Sequence, residues 1–366
     1  MSMRGNTSRR RVIVVGGGAV GCATALQLVK HGFDVTLIER DGVGAHASGR
    51  NAGNLNPLVG APPALVPFAL EAFRLHRQLG AELTQLGYAE AAATPTPRLH
   101  LGLGDDDEAP LAQIHKVLNA TDGFESGRLD REALLRLEPG LGPFVAFGLL
   151  TKGNLTLDGE AFTRCVADAA SRLGMRQVRG AATAVTTAGD CVTGVSVGGD
   201  TIACEDVVFA TGPWVAQINR WLGVELNVRP LKGEILMLRP AGASPDHDLT
   251  WGTTSLYTRR SGEIWVGVTF DDCGLDARPT DRAKTELLAA ATRIWPQIAH
   301  GAVFDHRAAL RPMTPDGLPI AGRAKGWQNA WIANGGGSKG MLLSVGIAKT
   351  IGDLLLDVRP EATGGV

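Results

Sequence analysis

The chain of 366 residues has no excess of either charge: 36 Lys and Arg face 37 Asp and Glu, a formal net charge of −1. That balance argues against partners recognised through bulk charge, nucleic acid above all. Cysteine is sparse. Cys22, Cys165, Cys191, Cys204 and Cys273 are odd in number, widely spaced and form no C-x-x-C. This excludes a disulfide framework or thiolate metal site and fits a reducing compartment, the cytoplasm. The eight histidines are equally scattered, with no ligand-type spacing, so no metal is expected. Apolar runs are broken by glycine or charge well short of a membrane span. The opening MSMRGNTSRRR is polar and basic, without a signal-type apolar stretch, and residues 1–10 read as a flexible tail. The length exceeds one ordinary core and suits two domains.

What is present is organised around residues 12–40, VIVVGGGAVGCATALQLVKHGFDVTLIER. Val12, Ile13, Val14 and Val15 form a β-branched run, as in a parallel strand buried on both faces. Gly16, Gly18 and Gly21 complete G-x-G-x-x-G. The first allows a tight turn, the second admits a pyrophosphate to the backbone, and the third lets helix pack closely on strand. Ala19 to Lys30 reads as a helix, with Ala19 and Val20 in the first turn that would face the phosphates. Val35 to Ile38 is a second buried strand. Glu39 stands at its end, about 20 residues past the glycines, placed to accept from a ribose hydroxyl, with Arg40 beside it. Strand, glycines, helix, strand and acid in this order predict a dinucleotide site.

After Glu39, DGVGAHASGRNAGNLNP is rich in small and turn residues and suits laying backbone amides against a large flat ligand. Pro67 to Leu86 has helical periodicity. Residues 89–110 read as loop, with the acidic run Asp105 to Glu108 as a solvated turn. Asp130 and Asp158 are placed as caps of two helices. Phe144 to Leu150 reads as a strand, as do segments around Val178, Thr183 to Thr187 and Val192 to Val197. Asp206 to Ala210 is another buried strand, running into Thr211-Gly212-Pro213-Trp214, a second close backbone approach to the same ligand. Residues 226–238 and 250–270 alternate apolar and polar, as antiparallel strands do. Asp281 to Ala299 reads as a helix. The last fifty residues are dense in glycine and end in a long apolar helix.

Taken in order, VIVVGGGAVG with Glu39, SGRNAGNL, VVFATGPW, RPLKGEILML, SLYTRRSGEIWVGVTF, ALRPMTPDGLPIAGR and NGGGSKGMLLSVGIAKTIGDLL resemble the D-amino acid oxidase superfamily of FAD flavoproteins. The glycine oxidase-like branch is the nearest, and the resemblance spans nearly the whole chain. It implies an α/β fold: an FAD-binding Rossmann-like domain with a parallel sheet, plus a substrate domain with an antiparallel sheet. The implied boundaries are 1–85, 155–222 and 305–366 for the FAD domain, and 86–154 and 223–304 for the substrate domain. The resemblance also implies roles. Glu39 would hold the adenosine ribose. Ser48 and the backbone of Asn51, Ala52, Gly53, Asn54 and Leu55 would lie along the pyrophosphate and flavin. Thr211, Gly212 and Trp214 would border the cofactor, with Ala182 near the adenine. Gly336, Gly337, Ser338, Lys339, Gly340 and Met341 would meet the flavin, the helix start there directing partial positive charge at its N1–C2=O edge. Arg311 matches an arginine that pairs with the substrate carboxylate, and Tyr257 a tyrosine of the substrate wall. His306 is expected to be structural.

The chemistry implied is FAD-dependent oxidation of the Cα–N bond of a small amino acid or secondary amine, by hydride transfer to flavin N5, to an imine that hydrolyses to a keto acid. Guanidinium grips a carboxylate through two parallel hydrogen bonds, and hydride transfer needs geometry more than an acid–base pair. Two departures matter. Ser338 and Lys339 stand where glycine oxidase-like relatives often carry an arginine, which puts glycine itself in question and points to a different or larger substrate. The covalent cysteine of the monomeric sarcosine oxidase branch is absent, with Met313 nearby, and its lysine near N5 is replaced by Tyr257. His46 is out of register for histidyl attachment, so non-covalent FAD is expected. Alternatives are a dehydrogenase of similar substrates passing electrons to a quinone or carrier, a 2-hydroxy acid oxidase, and a flavin-binding protein without turnover. The expected partners are therefore the substrate and either oxygen or an electron carrier; homo-oligomerisation stays open.

Overall fold

The computed structural model describes residues 9–356. The expected tail lies outside this range except for Arg9 and Arg10. Arg10 is anchored, its Nη2 2.9 Å from Oδ1 of buried Asp206.

The β-branched runs do form a buried parallel sheet. Its order is Ile320–Arg323, Ala330–Asn334, Asp206–Phe209, Arg11–Val15, Asp34–Glu39 and Arg176–Arg179, antiparallel only at the first pair. Strands Arg11–Val15 and Asp206–Phe209 are covered on both faces, which is why they read as unbroken apolar runs. One face packs helices Ala19–Lys30, Gly159–Arg172 and Gly340–Leu355; the other packs an antiparallel meander of Ala182–Ala188, Cys191–Val197 and Asp200–Ala203. The two acidic caps are made: Asp130 Oδ1 accepts from Ala133 N at 2.8 Å and Asp158 Oδ1 from Ala161 N at 2.9 Å.

The second sheet has eight strands, ordered Ala302–Met313, Arg229–Arg239, Ile264–Gly267, Thr254–Thr258, Asp248–Trp251, Arg98–Gly102, Phe147–Lys152 and Glu125–Asp130. It is antiparallel except where Asp248–Trp251 runs parallel to Arg98–Gly102. Four details differ from the sequence reading. Residues 89–110 contain the fully buried strand Arg98–Gly102, and the acidic run leads through the turn Asp105–Asp107 into helix Glu108–Asn119. Carboxylates suit that helix start, and Asp107 accepts from Leu103 N at 2.8 Å. Strand Phe147–Lys152 starts three residues later than expected, leaving Phe144 exposed. Helix Asp281–Ile294 stops before Pro296, which cannot continue it. Finally, strand Ala302–Met313 pairs along its length with Arg229–Arg239 and so crosses the boundary expected at 305.

Candidate active site

A large cavity runs from the carboxyl ends of the parallel strands to one face of the eight-stranded sheet. Open α/β sheets place ligands at this end. At its nucleotide end, Gly16 has φ +111°, and a Cβ there would overlap the Ala210 carbonyl oxygen. Glycine is required for the turn to pass that strand. Gly18, Ala19 and Val20 line the cavity. Gly21 does not; a Cβ on it would overlap the Gly16 carbonyl, so its role is close helix packing. Ser48 Oγ accepts from Ala19 N at 2.9 Å. Glu39 is held by backbone amides: Oε2 accepts from Gly17 N at 2.6 Å, Oε1 from Asp41 N at 2.7 Å. Its carboxylate still borders the cavity. Glu39→Gln should therefore weaken FAD binding by about 1–2 kcal/mol, because a charged acceptor becomes neutral. The apo fraction on purification and the FAD dissociation constant read this out; an unchanged constant would place the ribose acceptor elsewhere.

Arg40 and Trp214 form one wall. The guanidinium lies 4.5 Å from the indole centroid, and the His46 ring 4.7 Å from it. His46 and Arg40 both bind Asp41, at 2.7 and 2.6 Å, and hold its carboxyl below the usual range. His46 is thus engaged with protein. Ala182, Thr211 and Gly212 line the cavity too. Helix Ala216–Leu222 adds Gln217, Ile218 and Trp221, which carry no motif of their own.

The SGRNAGNL segment is shaped by its own side chains. Asn51 Nδ2 donates to the carbonyls of Ala47 (2.9 Å) and Ser48 (2.6 Å), and its Oδ1 accepts from Gly53 N (2.8 Å). The Ala52 carbonyl accepts from Arg259 Nη2 at 2.9 Å, and that guanidinium stacks 3.9 Å from the Trp265 centroid. Asn51, Ala52, Gly53 and Asn54 face the cavity, whereas Leu55 is wholly buried in the core beneath. Asn54 Oδ1 and Thr211 Oγ1 are buried without a hydrogen-bond partner, and both residues line the cavity. Orphaned polar atoms on the wall suit a polar ligand there.

At the far end, the glycine turn has φ +73° at Gly335 and +54° at Gly337 before helix Gly340–Leu355. That helix has no side-chain cap and no acid in its first turn. Its positive end therefore stays available to a ligand. Gly336, Gly337, Ser338, Gly340 and Met341 line the cavity. Lys339 does as well, but its Nζ donates to the carbonyls of Asn56 (2.7 Å) and Val59 (2.9 Å). Burial pulls its pKa down to about 8. The lysine ties a loop to the helix start.

The opposite wall comes from alternation in three strands. Gly233, Ile235, Ala309 and Arg311 point into the cavity, joined by Tyr257, while His306 lies on the opposite face, Nε2 2.8 Å from buried Glu234. Arg311 Nη1 donates to the Thr269 carbonyl at 3.1 Å. Among the described residues no carboxylate pairs with it, and burial alone lowers its pKa. A Cβ on Gly233 would overlap the guanidinium, so this glycine makes room for it. Gly233 and the neighbouring Phe270 lie within the RPLKGEILML and SLYTRRSGEIWVGVTF blocks, which assign neither of them a role. No metal-type cluster occurs among the described residues.

The chain belongs to the DAO family of FAD dependent oxidoreductases, which residues 11–354 match. It is 28% identical to a glycine oxidase of Pseudomonas putida over 358 residues, covering 96% of both chains. It is 31% identical to D-amino acid dehydrogenase 2 of Pseudomonas aeruginosa over 400 residues, covering 94% of each. The crystal structure of glycine oxidase from Geobacillus kaustophilus superposes with a TM-score of 0.89 at 24% identity, covering 96% of each chain, and shows the same fold. The protein is an FAD-dependent oxidoreductase, and its cavity wall fits that cofactor: a glycine cradle, Glu39 at a strand end, orphaned polar atoms and the uncapped start of helix Gly340–Leu355.

Proposed function

We propose that the protein oxidises the Cα–N bond of a small amino acid or N-alkyl amino acid to an imine, which water then hydrolyses to a keto acid and an amine. One observation carries this: the half-buried guanidinium of Arg311 faces the cofactor cavity with no carboxylate partner among the described residues. A partly desolvated cation without a partner loses solvation, and a substrate carboxylate that covers it would restore the balance. Bound FAD supplies the acceptor for the hydride leaving Cα. Arg311 fixes the carboxylate through its fork, Tyr257 adds a phenol donor, and the apolar wall of Ile235 and Val268 keeps water away. Because Lys339 is occupied by two backbone carbonyls, Arg311 anchors the carboxylate without a second cationic fork. That geometry suits a substrate beyond glycine itself. The similarity to a D-amino acid dehydrogenase keeps a second reading in play: the same oxidation, with electrons passed to a quinone or carrier. The five cysteines are unpaired, consistent with a reducing compartment such as the cytoplasm.

The test is anaerobic mixing of the yellow holoenzyme with D- and L-amino acids, N-methyl amino acids, simple amines and 2-hydroxy acids. Bleaching by amines that bear a carboxylate supports the proposal; bleaching by none of them rejects it. Re-oxidation by air, or only by a dye, separates oxidase from dehydrogenase. Non-covalent attachment is the expectation, supported by His46 being engaged with Asp41 and by Met313, rather than a cysteine, standing beside Gly337. FAD should therefore leave with the supernatant after acid or heat denaturation. Flavin retained in the precipitate would contradict that.

A further inference from the structure

Phe270 is half exposed, at 49%, yet it lines the cavity and lies against Arg311, its ring centroid 4.7 Å from the guanidinium carbon. Its backbone is pinned on both sides. Thr269 accepts from Arg311 through its carbonyl, and its Oγ1 accepts from Glu234 N at 3.1 Å. Asp271 exchanges two backbone hydrogen bonds with Lys232, at 2.9 and 3.0 Å. Between these anchors only the side chain is free to turn. An aromatic ring suits this place for a physical reason. It attracts the cation through its quadrupole but takes none of its N–H donors, so the guanidinium edge stays free for a carboxylate.

We propose that Phe270 is a specificity-determining residue: an aromatic cover over Arg311 that shields the carboxylate–guanidinium pair from water and favours compact α-amino carboxylates. The proposal rests on Arg311 being the carboxylate anchor. Shielding matters because a charge pair open to solvent is weakened by water and screened by salt, and a covered one much less so. The cover turns aside to admit substrate and returns over the pair, with no backbone movement.

The experiment titrates the FAD-loaded enzyme with acetate, a carboxylate that cannot be oxidised at Cα–N, following the flavin visible spectrum at low and high salt. Phe270→Ala should raise the acetate dissociation constant roughly 5-fold to 10-fold and steepen its salt dependence. Phe270→Leu keeps an apolar cover without the quadrupole and should fall between, which also serves if the alanine variant is poorly behaved. FAD content should be unchanged in both. Equal acetate affinity and equal salt dependence in wild type and both variants would overturn the proposal. Arg311→Ala separates the two layers. If it leaves acetate binding intact, the carboxylate-anchor reading falls; if it abolishes binding while the Phe270 variants bind like wild type, only the cover falls.

Discussion

Replacing Arg311 by alanine should lower the anaerobic flavin-reduction rate per unit of substrate by roughly two to three orders of magnitude, a loss within the 2–5 kcal/mol typical of an unpaired buried ion. The reason is geometric as well as electrostatic. The guanidinium is half-buried on the cavity wall, fixed by the Thr269 carbonyl, and seated in space that Gly233 leaves open. Arg311→Lys keeps the charge but loses the planar fork, so it should fall between wild type and alanine. FAD content should be unchanged in both, because the side chain belongs to the substrate wall. An amine without a carboxylate is the internal control: if oxidised, its rate should depend far less on residue 311. An alanine variant that reduces as fast, with the same apparent affinity, would make Arg311 a structural cation.

The second large effect is expected at the glycine turn. Gly16→Val should give protein without FAD. A side chain at φ +111° is strained by about 1–3 kcal/mol, and its Cβ would also overlap the Ala210 carbonyl oxygen. The strand Arg11–Val15 must then shift against Asp206–Phe209, and both border the cofactor cavity at their carboxyl ends. Gly32 isolates the contact from the strain. It has φ +85° but nothing within 4 Å of an added Cβ. Gly32→Ala should lose some thermal stability and keep its flavin. The FAD-to-protein absorbance ratio, with far-ultraviolet circular dichroism as the folding control, reads both. A flavin-replete Gly16→Val would show that this turn does not shape the cofactor site.

The nucleotide half was legible in the sequence because its signals are local. A β-branched run, glycines at fixed offsets, a helix from Ala19 to Lys30 and an acid at a strand end are short-range facts, as are the caps Asp130 and Asp158. The substrate half depends on distant partners. Strand Arg98–Gly102 hid behind the polar residues Arg98 and His100; the burial of Arg98 makes sense only with Asp248, 2.8 Å from it in space and 150 residues away in the chain. Gly233 looked like an ordinary glycine until Arg311 was placed opposite it. Lys339 stands where relatives often carry an arginine and is expected from the resemblance to meet the flavin, yet its Nζ donates to two carbonyls of a distant loop. Phe270 closes the SLYTRRSGEIWVGVTF block, where nothing local marks it as a neighbour of Arg311. The boundary near 305 blurred for the same reason: Ala302–Met313 completes one sheet and carries Arg311 to the cofactor cavity.

The most direct measurement of the central claim is a single-turnover product balance. The holoenzyme is mixed without oxygen with an amino acid that bleaches it, and 2-oxo acid, free amine and reduced flavin are quantified together. Oxidation at Cα–N requires all three in equal amounts, with Arg311→Ala slowing their appearance in parallel. Flavin reduced by 2-hydroxy acids alone, or reduced without release of an amine, would contradict it.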